Sequence, residues 1–133
     1  MTSRARIVAV ALAAFAAAAA PAPARASAGT TATGAIEDAR SEAKEQTAFG
    51  IKVAQNGLWK EAAYRWQRAT QIDPTYASAW NNLAIAYEQQ GNFEEAEKAY
   101  EKAVSLDPDN LLIRQNYDLF KELNDRTKRR RDR

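Results

Sequence analysis

The feature that most constrains the fold of this chain is an internal repeat with a period of 34 residues. Compared with itself at this offset, the sequence presents similar residues in the same order over two copies. The matching positions are Phe49 and Leu83, Gly50 and Ala84, Ile51 and Ile85, Gly57 and Gly91, Trp59 and Phe93, Ala62 and Ala96, Trp66 and Tyr100, Ala69 and Ala103, and Asp73-Pro74 and Asp107-Pro108. A repeat of this length predicts that each copy is one supersecondary unit, which buries its apolar face by stacking on its neighbours.

The local sequence indicates that these units are helical hairpins. Good helix formers dominate from Ile36 onward, and no alternating run of β-branched residues predicts a strand. Gly57 and Gly91 suit the left-handed residue that commonly ends a helix, whereas Pro74 and Pro108 cannot continue one. The predicted helices span about residues 36–56, 59–72, 76–90, 93–106 and 111–124.

Small residues occupy the positions at which the helices of each hairpin should cross. Gly50 and Ala84 lie on the first helices, where they allow a partner helix to approach closely. Alanines recur seven residues apart on one stripe of each second helix. They are Ala62, Ala69, Ala96 and Ala103.

This arrangement resembles the tetratricopeptide repeat (TPR) family. The second copy, residues 77–110, has nearly the whole family pattern, in Trp80, Leu83, Ala84, Tyr87, Ala96, Tyr100, Ala103 and Pro108. The first copy, about residues 43–76, departs from the pattern at Gln46, where Trp is usual, and at Val53, where Tyr is usual. The resemblance implies an all-α fold, a right-handed solenoid of antiparallel helix hairpins with about five helices.

A third copy of the repeat is incomplete. It would place the Trp, the small residue and the Tyr of the pattern at Arg114, Asp118 and Lys121, and none of the three fits. Residues 111–124 are therefore expected to form the single solvating helix that often closes such arrays. The predicted TPR domain spans residues 36–124, and a basic tail follows over residues 125–133.

The first 26 residues have the composition of a secretory signal peptide. Arg4 and Arg6 precede an uncharged apolar run over residues 7–20, and the small residues around Arg25 allow cleavage before Ser27. The alternative is an uncleaved membrane anchor, although this run of 14 residues is shorter than the roughly 20 that a span needs. We expect an exported protein, in the periplasm or outside the cell, with a flexible lead-in over residues 27–35.

Charge is distributed unevenly along the chain. Residues 27–125 hold 10 basic and 16 acidic residues, whereas residues 126–133 hold six basic residues and one acidic residue. An acidic body does not suit nucleic acid, so we expect no nucleic-acid partner. Several interpretations of the basic tail stay open: contact with anionic lipid or lipopolysaccharide at the surface of the cell envelope, contact with an acidic protein, or a solvated terminus.

The composition excludes several classes of enzyme. The chain has no Cys and no His, so it can form neither a disulfide nor the usual thiol–imidazole or serine–histidine catalytic pair. The carboxylates of Glu94, Glu95, Glu97 and Glu101 read as one solvated helix face rather than an acid–base pair. We therefore expect no enzyme activity, no catalytic residue, no cofactor and no metal site.

The TPR resemblance implies that the first helices line a concave groove that binds partner proteins. The candidate groove residues are Thr47, Ile51, Gln55, Asn81, Asn82, Ile85, Gln89, Leu112, Leu119 and Leu123. Ile51, Ile85 and Leu119 recur at the ninth position of the repeat, so they would form an apolar stripe. Such a stripe serves either a partner or internal packing, and the sequence leaves both interpretations open.

The expected function is therefore that of a non-enzymatic protein-interaction module of the cell envelope, which binds a peptide or a helix of a partner in its groove. The alternative is a self-associating structural or assembly element that forms a homodimer through the closing helix. In support of either, the closing helix has a second apolar face, with Leu112, Leu119 and Leu123, that nothing in the chain obviously covers.

Overall fold

The computed structural model describes residues 31–132, which form α1 (Ala32–Gln55), α2 (Trp59–Ile72), α3 (Ala77–Gln89), α4 (Phe93–Leu106) and α5 (Leu111–Arg131). This part of the chain contains no strand. Helices α1 and α2 form one antiparallel hairpin and α3 and α4 a second, which packs on α2, while α5 packs on α4. The predicted all-α fold of stacked helix hairpins is therefore confirmed.

Both hairpin turns depend on a glycine with a positive φ. Gly57 and Gly91 each have a φ of 77°. At the end of α1, the Gly57 N–H donates to the Ala54 carbonyl at 2.9 Å and the Leu58 N–H donates to the Val53 carbonyl at 3.1 Å. This pair of bonds is the Schellman motif, which satisfies the last carbonyls of the helix. The glycine-capped turns predicted from the repeat are thus present.

Two helix ends differ from the expected bounds. Helix α1 begins at Ala32, inside the expected lead-in, because the Thr31 Oγ1 accepts a hydrogen bond from the Gly34 N–H at 3.4 Å and caps the helix. Helix α5 continues beyond residue 124 to Arg131, so most of the predicted tail is helical. Cations in a final turn favour the helix because they complement its negative end.

The predicted signal segment, its cleavage point and residues 27–30 of the lead-in lie outside the described residues. Within the described range of 31–132, no helix is both long enough and apolar enough to cross a membrane.

A close contact between helices lies inside the first hairpin, between Gly50 and Trp66. A Cβ atom added to Gly50 would lie 2.4 Å from the Nε1 of Trp66. The same indole N–H donates to the Thr47 carbonyl at 3.0 Å, which ties α2 to α1. In the second hairpin the equivalent pair is Ala84 with Tyr100, in which a slightly larger residue faces a smaller ring.

The alanines predicted to line the helix crossings are all fully buried. Their side chains have an exposed fraction of 0% at each of Ala62, Ala69, Ala96 and Ala103. Small side chains at these positions let the helices pack closely, as the repeat pattern indicated.

Helix α5 docks on the second hairpin through an aromatic face. Ile113 and Phe120 are each 2% exposed. The ring centroid of Phe120 lies 5.3 Å from that of Tyr100, and the Tyr117 ring stacks on Tyr100 at 5.7 Å. Aromatic pairs at these distances contribute beyond their buried area. This face of α5 is therefore committed to the core.

Candidate functional site

Helices α1, α3 and α5 are the first helices of successive units, and they carry all ten candidate groove residues. The ninth-position stripe is exposed unevenly along the array. Ile85 on the central helix is 6% exposed, Ile51 is half-buried, and Leu119 on α5 is 37% exposed. The apolar surface that a partner could reach is therefore concentrated on α5.

Four of the candidate residues lie in the packed interior. Thr47, Asn81, Asn82 and Ile85 are between 3% and 6% exposed. The Thr47 hydroxyl donates to the Ala43 carbonyl of its own helix at 2.8 Å. These side chains therefore offer almost no surface to a partner.

A chain of buried amides connects α3 to α5. The Asn116 Nδ2 donates to the Asn81 Oδ1 at 3.1 Å, and the Asn81 Nδ2 donates to the Asn82 Oδ1 at 3.4 Å. Asn116 is 5% exposed, so its amide is removed from water along with its partner. Because a buried polar group without a partner is costly, this network fixes how α5 sits against α3. The sequence analysis did not single out Asn116, although it lies one repeat period of 34 residues after Asn82, and that equivalence is the signal that could have found it.

The remaining candidate residues are accessible. Gln55 is exposed, while Ile51, Gln89 and Leu112 are half-buried. Leu119 and Leu123 are 37% and 42% exposed. Since these two leucines are four residues apart on α5, their side chains lie on one face of the helix.

An ionisable group also lies on this surface, at Glu88, beside Gln89. Its carboxylate accepts a hydrogen bond from the Tyr100 hydroxyl at 3.1 Å. Burial raises the pKa of the Glu88 carboxyl above its ordinary value of 4.5, although the bond from Tyr100 acts in the opposite direction. Burial, followed by the charge of Glu88, also raises the pKa of Tyr100, so its hydroxyl remains a donor.

A second polar cluster fixes α1 against the turn between α2 and α3. Asp73 is 8% exposed and pairs with the guanidinium of Arg40. Its Oδ1 accepts bonds from the N–H and the hydroxyl of Thr75, at 3.0 Å and 2.7 Å, and the same hydroxyl accepts from the Arg40 Nη2 at 2.8 Å. Burial alone would raise the pKa of Asp73, but the bonds from Thr75 and Arg40 outweigh it and hold the pKa below its ordinary 3.8.

The sequence analysis missed this cluster. Asp73 recurs as Asp107 in the second repeat, which marked the position, but residue 40 lies on the N-terminal extension of α1, where the repeat has no counterpart. Because the cluster joins the first helix to the start of the second repeat, it helps to set the relative position of α1 and α3 and hence the shape of the groove.

A cleft of about 290 Å³ lies between α2 and α4, over one face of α3. Its floor is made by Trp80, Leu83 and Tyr87, which are repeat packing positions. The Trp80 indole N–H is already bonded to the Pro74 carbonyl at 2.9 Å. The floor of this cleft is therefore a product of hairpin packing.

Comparison with known proteins identifies the repeats. Residues 77–110 match the family described as Tetratricopeptide repeat, and residues 53–91 match the one described as TPR repeat. A TPR domain-containing chloroplastic protein, PYG7 of Arabidopsis thaliana, is 28% identical over 85 residues, which cover 64% of this chain and 28% of that protein. The photosystem I assembly protein Ycf3 of Rippkaea orientalis is 33% identical over 83 residues, covering 52% of this chain and 48% of that protein.

A third relative carries an enzyme's name. The protein O-mannosyl-transferase TMTC1 of Mus musculus is 31% identical over 67 residues, which are 50% of this chain but 7% of that protein. The chain thus spans less than half the length of each of these relatives. What the matches share is the repeat, and tetratricopeptide repeats are in general protein-interaction modules. The chain contains tetratricopeptide repeats: the matched residues 53–110 span the end of α1 and all of α2, α3 and α4, and α5 follows them.

Proposed function

We propose that this chain is a non-catalytic module whose concave groove binds a peptide or a helix of a partner protein. The observation that carries the proposal is that α5 is apolar on two faces. Ile113 and Phe120 dock one face in the core at 2% exposure, while Leu119 and Leu123 remain 37% and 42% exposed on another. Adjacent exposed leucines on an ordered helix favour an interaction surface.

Two other candidate residues, Gln55 on α1 and Gln89 on α3, suit the backbone of a peptide. Their side-chain amides both donate and accept hydrogen bonds, Gln55 is exposed and Gln89 is half-buried. Amides are neutral, so a ligand that covers them loses less hydration than one that covers ion pairs. Together with the half-buried Ile51, they offer a mixed surface of the kind that recognises both backbone and apolar side chains.

A double substitution tests the proposal. Leu119→Ser combined with Leu123→Ser should leave helicity and melting temperature unchanged and abolish capture of the partner from an envelope extract. The matched control is Leu58→Ser with Leu111→Ser, which changes two leucines that are 56% and 68% exposed outside the stripe. If helicity and melting temperature fall with the first variant, the leucines belong to the core and the groove does not bind at these positions.

Self-association is the second candidate, since the same two leucines could cover each other in a homodimer. Full burial of a leucine contributes roughly 1.5–3 kcal/mol, so covering the remaining exposed fraction of Leu119 and Leu123 contributes about 0.6–1.3 kcal/mol each. Four leucines then contribute about 2–5 kcal/mol, so a stable dimer would need further contacts beside them. Sedimentation over a range of concentrations separates the two candidates. A mass that rises with concentration in the wild type but not in the leucine variant favours the dimer. One relative is named a photosystem I assembly protein, which is in keeping with a role in assembly for either candidate.

We further propose that the protein is exported to the cell envelope, on the strength of the charged and apolar pattern in residues 1–26. The intact mass of the native protein should correspond to a chain that begins at Ser27 or Gly29. A full-length mass in the membrane fraction would instead favour a retained anchor.

A further inference from the structure

The final turns of α5 concentrate positive charge on an ordered helix. Five cationic side chains, all exposed, follow one another closely: Arg126, Lys128, Arg129, Arg130 and Arg131. Arg126 pairs with Glu122, whereas the other four form no ion pair with any carboxylate of residues 31–132. We call residues 126–131 the basic arm.

The basic arm continues the face of α5 that carries the exposed leucines. Leu119, Leu123, Arg126 and Arg130 are spaced by four, three and four residues, the spacing that places side chains on one face of a helix. With a rise of 1.5 Å per residue, Leu123 and Arg130 are about 10 Å apart along the axis. An apolar site and a cationic site therefore lie in series on the same surface.

We infer that the ligand of this surface is a protein segment in which acidic residues adjoin apolar ones. The inference rests on the proposed function and specifies its partner. Apolar side chains of the segment contact Leu119 and Leu123, and its carboxylates face Arg126 and Arg130. The argument is charge complementarity: on this face Arg130 forms no ion pair with residues 31–132 and would gain a counter-charge, while Arg126 would exchange or share its pair with Glu122.

The chemistry of the arm favours a protein over a lipid surface. Between Leu123 and Arg131 there is no large apolar side chain, so the arm has no face to insert into a bilayer. The body preceding it is acidic, with 16 acidic and 10 basic residues over residues 27–125. An extended anionic membrane that approached the arm would face this opposing charge over a wider area than a single peptide segment does.

The test is a selection of random peptides displayed on phage, carried out on the full chain and on two variants. The arm variant replaces four arginines by glutamine, which preserves helix propensity: Arg126→Gln, Arg129→Gln, Arg130→Gln and Arg131→Gln. The leucine variant is Leu119→Ser with Leu123→Ser. Circular dichroism and thermal melting of all three chains establish that the variants are folded.

We expect the wild type to enrich peptides that combine apolar residues with net negative charge. The arm variant should enrich the same apolar pattern without the charge, and its affinity for a selected acidic peptide should fall about tenfold at low salt. Raising the salt concentration should weaken the wild-type complex and leave the arm variant nearly unaffected. The leucine variant should enrich neither pattern.

Each other outcome decides against the inference in a different way. Apolar peptides without acidic bias would overturn the inference and leave the proposed function standing. Failure of the wild type to enrich any peptide beyond the leucine variant would count against the proposed function itself. Acidic peptides enriched equally by the leucine variant would make the arm an independent charge site. Vesicles of phosphatidylglycerol and phosphatidylcholine that displace a selected peptide in an arm-dependent way would identify a lipid surface instead.

Discussion

The sharpest prediction concerns Gly50, because the structure identifies both the atoms that a side chain at this position would clash with and the residue, Trp66, whose replacement would remove the clash. In Gly50→Ala the new Cβ would lie 2.4 Å from Nε1 of Trp66 and 2.8 Å from its Cδ1 and Cε2. The indole is 2% exposed and is held by its bond to the Thr47 carbonyl, so it cannot turn away freely. The helices must separate or the ring must shift, and overpacking of this kind costs about 1–3 kcal/mol.

Helix propensity acts in the opposite direction and sets the net effect. Alanine is favoured over glycine inside a helix by about 0.5–1 kcal/mol. The difference between the two effects is a net loss of about 0–2.5 kcal/mol in the free energy of unfolding, and the 2.4 Å approach to a held indole puts the expected loss in the upper half of this range. Each kcal/mol lowers the melting temperature by about 4–8 °C. Urea unfolding followed by circular dichroism at several temperatures measures both quantities.

Two further variants separate the clash from other effects. Gly34→Ala makes the same change in the same helix, but its nearest neighbour would be the Thr31 Oγ1 at 3.7 Å, an ordinary contact. It should be neutral or slightly stabilising. Trp66→Leu replaces the indole, whose Nε1, Cδ1 and Cε2 the new Cβ would meet, by a smaller and more flexible side chain. The double variant with Gly50→Ala should therefore be more stable than the two single losses predict. A coupling of about 0.5–3 kcal/mol is expected, and additive losses or a stable Gly50→Ala single variant would refute the close approach.

Three other predictions follow from the buried polar groups. Asp73→Asn should lower the free energy of unfolding at pH 7 by about 1–3 kcal/mol. Because the folded-state pKa of Asp73 lies below 3.8, the wild type should lose this contribution progressively as the pH falls from about 3.8 through the lowered folded-state pKa, as acid titration of unfolding will show. Glu88→Gln should be at least as stable as the wild type at pH 7. The wild type should lose stability as the pH rises above 4.5 through the raised pKa of Glu88, and this loss should be absent from the variant. Glu101→Gln, which changes the exposed pair with Tyr117, is the control and should leave the loss in place. Asn116→Ala should cost about 1–3 kcal/mol in urea unfolding, since it leaves the Asn81 oxygen buried without its donor.

The fold could be predicted from sequence because the two copies of the repeat can be compared with each other, position by position. The bounds predicted for α2 and α4, residues 59–72 and 93–106, coincide with the observed Trp59–Ile72 and Phe93–Leu106. In both cases a glycine precedes the helix and an Asp-Pro pair follows it, and these residues stop a helix by backbone geometry alone. The start of α1 and the end of α5 have no such glycine or proline beside them, and the predicted helices were several residues shorter there than the observed ones.

The site was harder to predict, because exposure depends on neighbours distant in sequence. The ninth-position residues are equivalent in the repeat, yet Ile85 is 6% exposed and Leu119 is 37% exposed. Ile85 lies on the central helix, with a unit on either side, whereas Leu119 lies on the last. The Arg40–Asp73 pair joins residues 33 positions apart, and no period of 34 points to it. A repeat pattern thus identifies equivalent positions, but it does not predict which of their side chains remain exposed to solvent in the folded array.

The position of α5 connects the stability of the fold with the proposed recognition. Phe120 and Asn116 hold the helix against α4 and α3, and neither offers surface to a ligand, at 2% and 5% exposure. They nevertheless determine where Leu119, Leu123 and the basic arm stand relative to α1 and α3. A surface that is ordered before binding loses little further conformational entropy when a ligand arrives, so its contacts contribute more of their strength to affinity. The same residues on a flexible tail would have to be ordered by the ligand. The helical continuation of α5 through the arm therefore favours a ligand that meets both the leucines and the cations at once.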